Sequence, residues 1–292
     1  MTRPATAGWV RWMPATFVFL WATGFIGAKY GLPYAEPARF LVARFALVVA
    51  LMLPIALLAR APWPHSGAHV FHVAVAGILL HGGYLGGVFS SIHAGMPAGL
   101  SALIVGLQPV LTALAARPLL GERVTARQWL GLALGFGGVA LVVGSRASLG
   151  GLSAFSLAMS VLALVSITIG TVYQKRFCGA FDLRTGSVIQ FVAAGLALAP
   201  FAIAFEHAPI RWTPEFAFAM AWLVFVLSIG AISLLALLIR RGAMTKVASL
   251  FYLVPPCTAV IAFFLFGETL SPLALAGFVL AVIGVALVVR GG

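Results

Sequence analysis

Residues 107–143 read LQPVLTALAARPLLGERVTARQWLGLALGFGGVALVV, and residues 253–289 read LVPPCTAVIAFFLFGETLSPLALAGFVLAVIGVALVV. The two stretches stand 146 residues apart, half of the 292-residue chain, and agree without a gap at sixteen of 37 positions. The shared positions include Pro109 and Pro255, Gly121-Glu122 and Gly267-Glu268, Gly131 and Gly277, and the six-residue runs that begin at Gly138 and Gly284. The same offset pairs Gly24 with Gly170, Lys29 with Lys175, Phe45 with Phe191 and Pro54 with Pro200. Scattered Leu, Ala and Val matches arise in any apolar sequence, but Pro, Gly-Glu and Lys do not stay in register by chance. The chain therefore reads as an internal duplication, one repeat over 1–146 and a second over 147–292.

Composition fixes the solvent in which these repeats fold. The chain is 62% apolar, 8% charged and 12% aromatic, the profile of an integral membrane protein. Ten apolar stretches approach or exceed the roughly 20 residues needed to cross about 30 Å of hydrocarbon. They lie at 12–30, 38–59, 70–92, 95–116, 126–145, 152–174, 184–205, 215–239, 245–267 and 270–290. Alternating strand patterns are absent, so the expected class is all-α integral membrane with ten transmembrane helices, not a β-barrel. The first stretch is too long for the apolar core of a cleavable signal and lacks a small-residue cleavage site, so it is expected to stay in the protein.

The net charge of +12 is a topology signal and not a nucleic-acid footprint, because the eighteen Lys and Arg are spread over short loops. With a cytoplasmic N-terminus, thirteen of them fall on inner segments and five on outer ones (Lys29, Arg39, Arg44, Arg146 and Arg211). This bias places both termini in the cytoplasm of a bacterial-type inner membrane. The expected partners are the bilayer and a small-molecule substrate; no nucleic acid is expected, and the sequence carries no signal of oligomeric state. Cys178 and Cys257 lie on different elements without metal-ligand neighbours, and read as small apolar residues.

Five spans per half is an odd number, so the second repeat enters the membrane in the opposite orientation. The basic residues agree: inner Arg117, Arg123 and Arg127 become Phe263, Thr269 and Leu273 in the second copy, beside an outer loop. Conversely, inner Arg176, Arg184, Arg240 and Arg241 stand where the first copy has Tyr30, Ala38, Ala94 and Gly95. Inverted repeats of this kind recur in secondary transporters, whose substrate site lies near midplane between the repeats.

The segment Gly121-Glu122-Arg123-Val124-Thr125 with Gln128, Gly131 and Gly138, together with Ala43-Arg44-Phe45, Gln108-Pro109 and the second copy Gly267-Glu268-Thr269-Leu270, resembles the EamA family of the drug/metabolite transporter superfamily. The likeness spans the whole chain and is similar to the YddG-type exporters of aromatic and other amino acids. It implies a ten-helix basket with export polarity. By the same resemblance, spans 1, 3, 4, 6, 8 and 9 surround a central cavity while 5 and 10 lie at the periphery.

Several residue patterns bear on how such a cavity would work. The spaced glycines, among them Gly131/Gly135, Gly131/Gly138 and Gly277/Gly284, read as close helix packing, since no strand precedes any of them and a phosphate loop is not credible. Gly82-Gly83-Tyr84-Leu85-Gly86-Gly87 suits a helix that must bend or slide. Pro109 and Pro255 are expected to kink spans four and nine at matching depths, and are candidate hinges. All six acidic residues fall at helix ends or loops, so no buried carboxylate is available for ion coupling. Glu122 and Glu268 read as caps or as partners of nearby arginines. His81, near the middle of span three, either exchanges a proton or stays neutral and hydrogen-bonded across helices. Arg44, two turns inside span two, either snorkels to the outer headgroups or meets a substrate carboxylate, and snorkelling is the commoner outcome.

The deepest polar-tipped groups, Trp21, His81, Tyr84, Gln108, Tyr173 and Tyr252, are expected to face a shared cavity, helped by Thr23, Ser90, Ser166, Thr168 and Ser228. An apolar pocket with a few polar groups is the usual style of small-molecule site. No HExxH, GxSxG or Walker sequence and no paired midplane acids appear, so neither an enzyme, a metal nor a cofactor is expected. The expected function is secondary export of small amphipathic metabolites, amino acids first. Multidrug or toxic-cation efflux and a passive metabolite channel are the alternatives.

Overall fold

The fold was examined in a computed structural model that describes residues 12–112, 125–147, 152–231, 234, 237–238, 250–269 and 271–290. Ten helical segments occur among these residues: α1 Met13–Gly31, α2 Pro37–Leu58, α3 Gly67–His93, α4 Ala98–Thr112, α5 Ala126–Ala147, α6 Ala154–Phe177, α7 Leu183–Ala204, α8 Pro214–Ala231, α9 Val254–Phe266 and α10 Pro272–Arg290. The start of α9 lies nine residues inside its expected span; the ends of α4 and α8 border residues outside those described, and every other segment end lies within three residues of its expected place. Six of the helices are long and apolar enough to cross a membrane, and α4, α9 and α10 are shorter apolar helices.

Local chemistry sets the boundaries. Ser66, Ser153, Asp182 and Thr213 sit in extended backbone just before α3, α6, α7 and α8, and each side chain accepts a bond from a backbone N–H of the first turn. Proline occupies the opening turn of α2 and α8, where its missing N–H costs nothing. Gly267 ends α9 in the left-handed conformation, φ 64°, which a side chain would strain. Asp182 also pairs with Arg184 at 2.8 Å, and that partner holds its carboxyl down at about 2. The contribution of Asp182 to stability is thus present above the ordinary carboxylate range and lost only as pH falls towards 2.

The bundle is apolar outside, as a lipid solvent demands, and keeps a few polar side chains within its apolar core. Leu58, Phe264, Ile203 and Leu196 are largely exposed. Arg44, Ser91, Ser160, Thr185, Gln190 and Thr258 are buried, and Ser91 and Ser160 bond to each other across α3 and α6 at 2.6 Å.

Two packing units result. α5 and α10 cross at glycines: a Cβ on Gly138 would lie 2.4 Å from the Gly277 oxygen, and one on Gly284 would lie 2.4 Å from the Gly135 nitrogen. Both bury their contact face with α4 in one apolar cluster (Leu103, Leu107, Leu132, Phe278, Ala281). The larger cluster joins α1, α2, α3, α8 and α9 through Phe17, Phe40, Phe45, Phe89, Phe216 and Leu223.

Within α3 the turn Ile78–Gly83 is π-helical, and within α8 the stretch Trp222–Ala231 is π-helical as well. Adding 146 to 78 and 83 gives 224 and 229, inside the second stretch, so the two wide turns occupy matching repeat positions. The bend expected at the glycine-rich run of span three is this π turn.

The prolines behave differently from an unbroken mid-helix kink. α4 is interrupted at 106–107, just before Pro109, where the Leu107 N–H bonds to Ile104 in a tight turn. Pro255 lies in the first turn of α9, after a 3-10 turn over Phe251–Leu253 in which the Phe251 carbonyl accepts from Val254. The Ile104 and Phe251 carbonyls thus accept from tightened turns just before each proline.

Candidate functional site

A cavity of about 360 Å³ opens between α1, α2, α3, α6, α7 and α8. Its wall is mainly aromatic and aliphatic, with Trp21, Phe25, Phe89, Phe191 and Leu227. The polar groups are Arg44, His81, Tyr84, Gln174, Ser187, Gln190 and Ser228. The cavity is built on positions related by the repeat offset: Trp21 and Ile167, Arg44 and Gln190, His81 and Leu227 each differ by 146 and all line it. The π turns matter here, because each widens its helix where it borders the space and brings His81 from one repeat, and Leu227 with Ser228 from the other, to the wall.

Aromatic contacts hold the wall in place. The Trp21 ring meets Phe251 edge-on at 5.1 Å and Phe17 at 5.4 Å. His81 stacks on Phe191 at 4.2 Å, and Phe191 in turn packs on Phe45 at 5.4 Å. Gln190 donates to Gln174 at 2.8 Å. Arg44 does not snorkel. Its guanidinium is 3% exposed, and Nη2 donates to the Leu223 carbonyl (3.3 Å) and the Ser228 hydroxyl (3.1 Å). α2 packs its arginine face against α7 and α8, so the route to the headgroups is closed and the charge faces inward.

The two ends of the bundle differ. At the end carrying the α1–α2, α3–α4, α7–α8 and α9–α10 connections, Lys29 pairs with Glu268, whose carboxylate also accepts from the Ala98 N–H (2.9 Å) and the Gly99 N–H (3.4 Å) at the start of α4. Glu206 accepts from the Ala38 and Arg39 N–H groups, both at 2.7 Å, and Arg211 donates to the Pro33 and Tyr34 carbonyls. At the opposite end the cavity reaches Gln174, Phe181, Leu183 and Ser187, beside the α6–α7 connection. Among the described residues the cavity stops short of the first end and reaches the second, where Thr185 also bonds to the Pro62 carbonyl at 2.9 Å.

The residues expected to share a cavity divide. Trp21, His81 and Tyr84 line it together. Gln108 lies in a separate space of about 30 Å³, between Trp21, Tyr84, Pro109, Phe251 and Pro255, and donates to Thr171 at 2.9 Å. Tyr173 lies outside both: its hydroxyl bonds to His72 at 2.7 Å and its ring packs on Phe177 at 4.7 Å. The α6 helix turns Gln174 to the cavity and Tyr173 towards α3, where His72 meets its hydroxyl. The side chain of Tyr252 lies outside the described residues. Thr23 and Thr168 spend their hydroxyls on carbonyls one turn back, Leu20 and Leu164, while Ser228 reaches the cavity wall.

The lining also differs from the set of spans 1, 3, 4, 6, 8 and 9 that the resemblance implies, by including α2 and α7. Each contributes to its wall, whereas α4 and α9 border only the smaller space. Arg44, Gln174, Ser187 and Gln190 are the polar groups that depth alone did not single out. The pairing of Arg44 with Gln190 across the repeats is the signal that points to two of them. No group of His, Cys, Asp and Glu suited to a metal occurs among the described residues.

Comparison with known proteins agrees with this architecture. Residues 9–144 and 154–290 each match the EamA-like transporter family. The transporter YvbV of Bacillus subtilis is 30% identical over 291 residues, covering 94% of this chain and 89% of its own. A probable terminal-alkyne amino-acid exporter of Streptantibioticus cattleyicolor is 27% identical, covering 96% and 93%. A probable amino-acid metabolite efflux pump of Salmonella typhimurium is 27% identical, covering 94% and 92%. A solved crystal structure superposes with a TM-score of 0.63 at 22% identity over 94% of both chains, which shows the shared fold.

Proposed function

The chain belongs to the EamA-like transporter family, and from that premise we propose that it exports small amphipathic metabolites, amino acids foremost, by alternating access through the cavity between α1, α2, α3, α6, α7 and α8. The observation that carries this reading is a cavity with polar tips on an aromatic wall, which among the described residues stops short of one end of the bundle and reaches the other. A carrier must expose its site to one side at a time, and a passive channel has no need of a closed end. The two halves, 1–146 and 147–292, are the bodies that would rock about the site. The relatives named as amino-acid exporters support this substrate class, and the absence of an acidic lining residue among the described residues argues against cations.

Purified protein reconstituted in proteoliposomes tests the proposal by counterflow of radiolabelled phenylalanine. The expected result is accelerated exchange that falls roughly tenfold in Tyr84→Ala, the loss of about 1.4 kcal/mol of solute binding. Tyr173→Phe, outside the cavity, should exchange at the wild-type rate. Equal rates for Tyr84→Ala and wild type, or no counterflow of any amino acid, would overturn the assignment.

The basic-residue bias orients the closed end outward, so the cavity would face the cytoplasm in this conformation. Single cysteines at the exposed positions His65 and His207, in a background lacking Cys178 and Cys257, test this orientation. A membrane-impermeant maleimide should label position 207 on intact cells and position 65 only after permeabilisation. The reverse pattern would invert the topology.

A further inference from the structure

We propose that the cavity selects its solute by a carboxylate and not by an ammonium: Arg44 is the carboxylate anchor, and amphipathic monocarboxylates, with or without an amino group, are the substrate class. The proposal rests on the export reading of the same cavity.

Among the described residues of the cavity wall Arg44 alone carries a permanent charge, since a guanidinium does not lose its proton in proteins. Only Nη2 is engaged; Nε and Nη1 are buried and have no hydrogen-bond partner among the described residues. A buried cation with open donors is costly unless an anion pairs with it. A carboxylate in the cavity supplies such an anion, and arginine is suited to it because its planar fork matches two carboxylate oxygens.

Nothing comparable awaits a cation. Among the described residues none that lines the cavity is acidic: Glu36, Glu206, Glu215 and Glu268 sit at the tied end and Asp182 beyond the other. At Gln190, the repeat equivalent of Arg44, the second half carries a neutral amide already bonded to Gln174. An ammonium would find only neutral acceptors there, which it also has in water. At this pair the wall breaks its two-fold symmetry in charge, with the cation on the α2 side and the rings of Trp21, Phe25 and Phe191 around the remaining space. A solute with one acidic end and one aryl or alkyl end satisfies both parts.

The probes are L-phenylalanine, 3-phenylpropionate, which keeps only the carboxylate, and phenethylamine, which keeps only the ammonium. Thermal unfolding of the purified full-length protein in detergent reports binding of each at equal millimolar concentration near neutral pH. Phenylalanine and phenylpropionate are expected to raise the melting temperature, and phenethylamine to leave it unchanged. Arg44→Gln should weaken both carboxylates at least tenfold, and Arg44→Lys, which restores a point charge without the fork, should recover part of the loss. The wild-type series needs no variant, so a poorly folded Arg44→Gln leaves the test decisive. Equal stabilisation by phenethylamine, stabilisation by none of the three, or full retention of the carboxylate effect in well-folded Arg44→Gln would overturn the anchor. Phenylalanine counterflow separates the two ideas. Carboxylate-selective binding without flux removes the export reading and keeps the anchor, whereas flux with indifferent binding does the opposite.

Discussion

Gly138→Ala should sharply lower the yield of monodisperse protein in detergent, whereas Gly137→Ala, one residue away on the same helix, should leave it unchanged or raise it. A Cβ at 138 would stand 2.4 Å from the Gly277 oxygen, 2.5 Å from the Ala281 nitrogen and 2.9 Å from the Ala281 Cβ, and two of these three are backbone atoms that no rotamer change can move. At 137 nothing lies within 4 Å. The helix-propensity gain of roughly 0.5–1 kcal/mol for Gly to Ala applies at both positions. At 138 it is set against overpacking of about 1–3 kcal/mol or more, because the whole of α10 must retreat. Gly277→Ala and Gly284→Ala meet the same obstruction from the other side, 2.6 Å from the Gly138 oxygen and 2.4 Å from the Gly135 nitrogen. Size-exclusion profiles of the four variants give the ranking. If Gly137→Ala and Gly138→Ala behave alike, the α5–α10 crossing is not as close as described.

Glu268→Gln should lower the thermal unfolding midpoint more than Lys29→Met does. Glu268 joins three elements: Lys29 at the end of α1, and the Ala98 and Gly99 N–H groups at the start of α4. Removing its charge leaves Lys29, only 29% exposed at its side chain, without an anion, and weakens two bonds to backbone donors. Hydrogen bonds to charged groups contribute roughly 1.5–3 kcal/mol each, so the loss is on the order of a few kcal/mol. Lys29→Met forfeits only the ion pair and keeps the helix-start bonds, and its methylenes already pack near Phe266, over whose ring the ammonium sits at 4.9 Å. A double variant should be less destabilised than the sum of the two. Strict additivity would show that the pair is not coupled.

The duplication, read from the register of Pro, Gly-Glu and Lys, carried the architecture, since a repeated five-span unit leaves few alternatives once composition requires a membrane. Close packing at Gly131, Gly138, Gly277 and Gly284 was legible for the same reason: small residues at helical spacing in lipid have few other uses. What apolar sequence conceals is direction. A soluble helix announces its buried face by polarity, but in α2 or α6 both faces are apolar, so depth along the span says little about rotation around it. Tyr173 therefore looked as suitable as Tyr84, yet it points to His72 while its neighbour Gln174 takes the cavity. Arg44 was visible but ambiguous, because its direction depends on which helices pack against α2. The π turns were half-legible: the glycines of span three foretold a bend, whereas the matching stretch over 222–231 has only Gly230 to mark it.

The burial of Arg44 has a consequence for biogenesis. Its partners, the Leu223 carbonyl and the Ser228 hydroxyl, arrive 179 and 184 residues later in the chain. At synthesis rates of about 5–20 residues per second, α2 waits roughly 10–40 s beside the translocon before they emerge. During that interval an arginine near the middle of a span costs about 2.5–3.5 kcal/mol on insertion scales. The rest of α2 offsets this, for its mean hydropathy of 2.5 is the highest among the six long spans. The first half of the chain can thus enter the membrane early but cannot settle its most polar residue until the second half has followed, so an ancestral-looking unit of five spans is, in this protein, not an autonomous one.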